Sequence, residues 1–303
     1  SVADLPPYPM SRGCSVLFLL AHALQNCHGF HVAGRAGTQR PLSSVSSVAT
    51  RSLTMLAPLP PPQVFEALTL NSGLAAIGVA KGQKALTPSG LAHAWALGVM
   101  LWSSLGWRGW STCVLYLICG SAVTKVKKAK KEALGIAEGR GGMRGPENVW
   151  GSAATSAVCA LATLRWPDKA ALLRIGFVAA LVSKLSDTCQ SEIGKAYGKT
   201  TYLITTLKLV PAGTEGAVSA EGTAAGVVGS FVLSIFAVAC GLVARSALVP
   251  CVLAAVIATT AESILGASAQ DRFDLLTNEV VNFLMTVVGA ASGIWLAVLM
   301  GAV

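Results

Sequence analysis

Charge is scarce in this chain: Asp, Glu, Lys and Arg make up only 12% of 303 residues. Soluble domains carry about 25%. With a mean hydropathy of +0.62, that shortage excludes an ordinary soluble domain and predicts a polytopic membrane protein. Histidine is also rare. Only four are present, none beside a cysteine at ligand spacing, and the eight cysteines form no CxxC pair. Neither a zinc site nor a disulfide framework is expected. The cysteines read as small apolar helix residues, with Cys189 the one that falls in a polar stretch. The alternation of a β-barrel is missing, which leaves helices as the way to satisfy the backbone in lipid. The net charge is +9, but its basic residues lie mostly between apolar segments. Anionic lipid heads or phosphate ligands therefore suit it better than nucleic acid, which is not expected as a partner.

Acids are missing almost entirely from residues 1–62, which hold four Arg, no Lys, the single acid Asp4 and a cluster at Pro58, Pro60, Pro61 and Pro62. That composition reads as a cleavable, disordered organelle leader. The apolar run Ser15 to Leu24 suits a signal-peptide core and suggests a two-part leader. The rest, 63–303, reads as one transmembrane helical domain. Its apolar segments fall near 63–80, 91–106, 110–124, 149–164, 171–187, 222–244, 247–266 and 280–302. Most are rich in Gly and Ala, which lets helices approach closely in lipid. Trp102, Trp107, Trp110 and Trp166 stand at segment ends, as interfacial aromatics do. If every segment crosses, loops 81–90, 125–148, 188–221 and 267–279 share one face. That face carries most of the Lys and Arg, which makes it cytosolic or stromal.

The polar stretch Lys184 to Gly222 interrupts this apolar chain with Asp187, Glu192, Glu215 and Glu221 and with Lys184, Lys195, Lys199 and Lys208. On a helix Lys184, Asp187 and Ser191 share a side. Glu192 lies about 140° from Asp187, so joint metal binding by the two needs a broken or ending helix, for which Gly194 and Gly198 are candidates. Magnesium takes one or two carboxylates plus phosphate oxygens and water. A plain Lys184–Asp187 ion pair at a helix end is the alternative. The run Gly194-Lys195-Ala196-Tyr197-Gly198-Lys199-Thr200-Thr201 ends like a P-loop, but the glycines are one residue too close and no strand precedes them. A phosphate cradle of backbone N–H groups and lysines remains possible, as does a solvated basic turn. Gly213-Thr214-Glu215-Gly216 follows. Glu221-Gly222-Thr223 then opens a helix whose N-terminus favours an anion.

Outside this stretch, Lys125 to Lys131 reads as a lipid-facing polybasic segment. The Gly-rich turn that follows carries Arg140 and Arg144, whose forks suit phosphate, and leads into Glu147 and Asn148. Glu262 stands in an apolar segment, where a carboxylate is paired, metal-bound or protonated. Asn278, Glu279 and Asn282 open the last segment, with helix–helix hydrogen bonding as the plain alternative.

Three stretches together resemble a known family: SDTCQSEIGKAYGKTTYLITTLKLVPAGTEGAVSAEGTAAG at 186–226, KEALGIAEGRGGMRGPENVWGSAA at 131–154, and TNEVVNFL at 277–284. They are similar to the DUF92/TMEM19 integral membrane family, nearest to the plastid branch that includes phytyl-phosphate kinase of tocopherol synthesis. Asp187, Gly194, Tyr197-Gly198-Lys199 and Glu221-Gly222-Thr223 also look like the signature of CTP-dependent lipid kinases, with a longer polar loop. The resemblance implies an all-α bundle of about 6–8 membrane helices in a chloroplast membrane. It implies phosphoryl transfer from CTP or another NTP, with Mg²⁺, to phytyl or another prenyl monophosphate. The diphosphate product would feed tocopherol and phylloquinone synthesis. The expected partners are membrane lipids, the prenyl phosphate and the nucleotide. In this reading Asp187, Glu192 and Glu221 are catalytic, and with Glu262 they are the candidate metal ligands. Lys184, Ser191, Gly194, Lys195, Gly198, Lys199, Lys208, Gly222 and Thr223 take nucleotide phosphates. Arg140, Arg144, Glu147, Asn148, Asn278, Glu279 and Asn282 hold the acceptor. The alternatives are a CTP-dependent phytol or dolichol-type alcohol kinase, a lipid cytidylyltransferase, and, in another class, a membrane transporter.

Overall fold

Proline, glycine and small hydroxyl residues punctuate the chain into helices. The computed structural model describes residues 61–303 apart from 83–84 and 269–274, with the backbone alone at 61, 62, 140 and 141. The leader assigned to 1–62 lies outside the described residues, except for the two prolines that begin α1 (Pro61–Ala80). α2 (Pro88–Thr124) has Pro88 in its first turn and Thr87 as its cap, accepting from the Gly90 N–H at 2.9 Å. Gly106 breaks it with φ 64° and ψ −162°, a conformation that a side chain would resist. The two arms, 88–105 and 107–124, double back. Asn71 lies against Gly98 of the first arm and accepts from Trp110 Nε1 of the second, and both ends of α2 come to Arg144. Among the described residues there follow the short α3 (Lys128–Ala133), α4 (Pro146–Arg165), α5 (Ala170–Tyr197), α6 (Ala220–Ala239), α7 (Leu248–Ser268) and α8 (Asn278–Leu299). A two-residue antiparallel pair, β1 (Tyr202–Leu203) and β2 (Ala217–Val218), joins α5 to α6.

The eight apolar segments thus appear as α1, the two arms of α2, and α4 to α8. Among the described residues, three helices are long and apolar enough to cross a membrane: α6, α8, and α7 together with the turn before it, from Arg245 to Ser268. The chain is an all-α helical membrane protein, as its composition predicts.

α5 is the axis of the bundle. Ile175 to Leu185 is apolar or small almost throughout and buried along its whole length, as befits a helix surrounded by others. Glycines on its neighbours set the approach. Gly222, Gly226 and Gly229 of α6 lie on Gln190, Ser186 and Cys189 of α5. Gly289 and Gly293 of α8 lie on Ser183 and Ala179. A Cβ at 289 would collide with the Ser183 side chain and sit 3.3 Å from the Ala179 carbonyl. Gly289→Val should therefore cost about 1–3 kcal/mol through overpacking, read as a lower midpoint of thermal unfolding in detergent. An unchanged midpoint would mean that the α5–α8 contact is looser than described.

The four long polar loops meet at one end, as the crossing pattern predicts. Thr87 N–H donates to the Arg144 carbonyl and Arg144 N–H to the Ala85 carbonyl, each at 3.0 Å. Lys130 reaches the Ala196 carbonyl at 3.1 Å, and Gly216 presses on Ser263 and Ala267. At the opposite end Arg108 donates to the Gly241 carbonyl at 3.2 Å.

Candidate functional site

A cavity of about 320 Å³ opens at the loop-bearing end, walled mainly by polar atoms. α5 supplies one wall with Lys184, Asp187, Ser191, Glu192, Gly194 and Lys195. Lys184, Asp187 and Ser191 reach it together because they are three and four residues apart. α7 ends at the cavity with Glu262 and Ser263, and α8 begins there with Asn278, Glu279 and Asn282. Arg144 and Asn148 come from the turn and first residues of α4, and Thr214 and Glu215 from the 199–219 loop.

The cations and carboxylates are held by specific partners. Lys184 Nζ donates to Asp187 Oδ2 at 2.6 Å and to Asn282 Oδ1 at 2.8 Å. It thereby ties α5 to α8 and neutralises one carboxylate oxygen, while a carboxylate retains further acceptor sites. Glu262 lies within electrostatic reach of Asp187, Lys184 and Glu215. Asn148 Oδ1 accepts from the Gly145 N–H at 3.0 Å, closing the start of α4, and its Nδ2 donates to Glu279 Oε1 at 3.3 Å.

Glu192 also borders the cavity, but its carboxylate is engaged by lysines. α5 does not break after Asp187 but continues to Tyr197, with Gly198 at its end, so Glu192 keeps the angular separation of an unbroken helix. Its carboxylate pairs with Lys131 of α3 and lies 3.7 Å from Lys195. The Lys131 side chain is 1% exposed. Lys131 thus departs from the reading of the basic run as a lipid-facing segment, while Lys125, Lys127 and Lys130 stay exposed. Lys127 stacks over the Tyr197 ring at 3.7 Å, Lys130 bonds to α5, and Lys131 is buried. The basic run is a clamp that seats α3 on the end of α5. A buried cation must find an anion and acceptors, and Lys131 finds both Glu192 and the Thr124 carbonyl at 2.8 Å.

Several sequence candidates do not line the cavity. Glu221 stands in the first turn of α6 outside it, and Glu147 starts α4 outside it. Gly198, Lys199 and Lys208 are likewise absent from its wall. Gly222 serves a close approach between α6 and α5, and Thr223 faces a second, smaller cavity. The Arg140 side chain lies outside the described residues. Other wall residues carry little sequence signal: Glu138, Ser152, Gln190 and Ser263. Two of them sit within a turn of a singled-out residue, Ser152 after Asn148 and Gln190 after Asp187, where a helical-face argument finds them. His93 accepts from Trp150 Nε1 at 2.9 Å and is not part of the wall.

Among the described residues no three Asp, Glu, His or Cys side chains converge as a ready-made metal cage. The donors at the cavity are nonetheless oxygen-rich. Two carboxylates, Asp187 and Glu262, lie close enough for their charges to interact. That donor set fits a magnesium ion whose remaining ligands are phosphate oxygens and water.

Comparison with known proteins adds the family. A cyanobacterial membrane protein from Synechocystis is 52% identical over 231 residues, covering 76% of this chain and 90% of the relative. "Protein VTE6, chloroplastic" from Arabidopsis thaliana is 48% identical over 210 residues, covering 68% of this chain and 63% of its own length. A membrane protein of Methanocaldococcus jannaschii is 31% identical over 218 residues, covering 71% of this chain and 87% of its own. No solved structure matches. Residues 71–290, which contain the whole cavity wall, match the family described as integral membrane protein DUF92, and the chain belongs to that family.

Proposed function

We propose that this protein is a membrane phosphotransferase of the plastid that moves the γ-phosphoryl group of a nucleoside triphosphate, CTP or another, onto a prenyl monophosphate such as phytyl phosphate. The observation that carries the reading is the cavity itself. At the polar end of a lipid-embedded bundle, Lys184, Lys195 and Arg144 share one wall with Asp187 and Glu262. Two phosphorylated substrates bring many negative charges together, and phosphoryl transfer depends on positioning and neutralising them. The plastid assignment is supported by the name of the Arabidopsis relative and by the Arg- and Ser-rich, acid-poor composition of 1–62.

The residues divide the work. Lys184 and Lys195 neutralise donor phosphates, and the Arg144 fork takes the acceptor phosphate. Asn278 and Asn282 orient phosphate oxygens. Asp187 and Glu262 would hold Mg²⁺, which when bound would supply charge neutralisation for the phosphates. Glu192 stays with Lys131 and positions α3. An oxygen of the prenyl monophosphate attacks the γ-phosphorus, the bond to the β–γ bridging oxygen breaks, and the nucleoside diphosphate leaves. The attacking phosphate is largely ionised at neutral pH, its second pKa being about 6, so no general base is required. An alcohol acceptor would require one, and the cavity wall presents no histidine.

Protein reconstituted in lipid with Mg²⁺ should convert phytyl phosphate to the diphosphate and leave phytol unchanged. CTP, ATP, GTP and UTP tested in parallel identify the donor. Product formed from phytol overturns the acceptor assignment, a CDP-lipid product replaces the reaction class, and uptake into liposomes without any nucleotide points to a transporter.

A further inference from the structure

A second cavity, of about 190 Å³, adjoins the first and is walled mainly by apolar atoms. It lies between α5, α6 and α7, with Ile204, the residue after β1, and Val218 of β2 also in its wall. Thr223 and Val227 wall it from α6, and Val256 and Thr260 from α7. Gln190 of α5 lines both cavities. Neighbouring positions on α5 divide between the two spaces: Asp187 and Ser191 face the polar one, Ser186 the apolar one, and Gln190 stands between them. Val256 and Thr260 are six and two residues short of Glu262 on the chain side that leads away from the loop-bearing end, so on α7 the second cavity reaches deeper than the first.

The wall of this cavity reaches the outer surface of the bundle at Val256. Val256 is 40% exposed, and the same two helices carry further exposed apolar side chains, Leu253 and Ile257 on α7 and Val228 and Val232 on α6. The glycines of α6 bring that helix closest to α5, and its packing on α7 is sparser.

We propose that this apolar cavity receives the first isoprene units of the acceptor, and that the acceptor enters sideways from the bilayer between α6 and α7. The inference rests on the phosphotransferase reading and extends it by assigning the tail site. Continuity with the polar cavity argues for this occupant. An amphiphile with its tail in lipid and its phosphate beside Arg144 and Asp187 needs a path that changes from apolar to polar over a few ångströms. The second cavity and Gln190 form that path. Crossing the loop-bearing end instead would expose a long hydrocarbon chain to water, a cost that grows with each methylene.

The test has two arms. In the first, wild-type protein in phosphatidylcholine vesicles is photolabelled with a C20 isoprenoid monophosphate that carries a diazirine near the phosphate end. Peptides spanning 223–227 and 256–260 should be labelled, and unlabelled C20 monophosphate should compete, while added phospholipid should not. Labelling elsewhere, or equal competition by phospholipid, overturns the assignment. In the second arm, Val256→Trp and Val227→Phe fill the gap. Each should lower kcat/KM for the C20 monophosphate at least about tenfold, because the phosphate is held away from its position. A C5 monophosphate, short enough to stay within the polar cavity, should be phosphorylated at the wild-type rate. Equal loss with both acceptors, or loss with neither, overturns the proposal. Wild-type protein that labels as expected but transfers no phosphoryl group to either acceptor retires the proposed reaction and leaves the tail site standing.

Discussion

Asp187→Asn should lower phosphoryl transfer to a prenyl monophosphate by roughly 10²–10³-fold, the usual cost of losing one aligned charge at a reacting centre. Asp187 combines three properties that no other cavity carboxylate shares. It lies on the rigid central helix, it is held by Lys184 at 2.6 Å, and it is near enough to Glu262 for the two charges to interact. The amide keeps the size and can still accept from Lys184 Nζ, so the fold should survive. Lys184 also keeps its 2.8 Å bond to Asn282. The measurement is the initial rate against Mg²⁺ concentration, alongside the midpoint of thermal unfolding. A rate within threefold of wild type, with the fold intact, would remove Asp187 from the site. Glu221→Gln serves as the contrast. Its side chain does not line the cavity, and the rate should change by no more than about twofold, as for ordinary surface substitutions. A loss as large as that of Asp187→Asn would restore Glu221 to the place that its likeness to lipid kinases implies.

Lys131→Met should destabilise the protein by about 3 kcal/mol, because it leaves the Glu192 carboxylate buried without its main partner. The two side chains are 1% and 6% exposed, so water cannot replace the lost bond. Lys195, 3.7 Å from the other carboxylate oxygen and 27% exposed, recovers only part of the loss. Lys131→Met combined with Glu192→Leu should regain most of the stability, since a buried pair replaced by apolar residues of similar volume is often neutral. Equilibrium unfolding in detergent, analysed as a double-mutant cycle, measures the coupling. A single-variant cost below about 1 kcal/mol, or a double variant less stable than the single, would show that the pair does not hold α3. The same variant should weaken acceptor binding. α3 and the Gly139–Gly142 turn lead directly to Arg144, whose backbone is fixed against Ala85 and Thr87.

Much of the architecture is legible in composition. Low charge and high hydropathy place the chain in a membrane. Pro88, Pro146, Thr87, Ser219 and Thr277 stand at helix starts. Gly106 falls at the end of the second apolar segment and breaks α2 there. The polar stretch is legible too: Lys184, Asp187, Ser191 and Lys195 repeat at helical spacing, and all line the cavity.

What stayed hidden depended on which surface a residue meets. Lys131 reads like its neighbours in a basic run, and nothing in the local pattern says that it alone is buried. Its partner, Glu192, is 61 residues away. Glu192 and Asp187 differ by five positions on a helix, yet one faces a clamp and the other pairs with Lys184 at the cavity. Glu221 and Thr223 belong to a legible motif, but the Gly222 contact with α5 turns them out of the polar cavity. Local sequence determines where helices begin, how apolar they are and which residues share a face, because these follow from backbone geometry and transfer energies. The tertiary structure alone decided which face meets which, because that depends on close approaches between glycines and buried charges far apart in the chain.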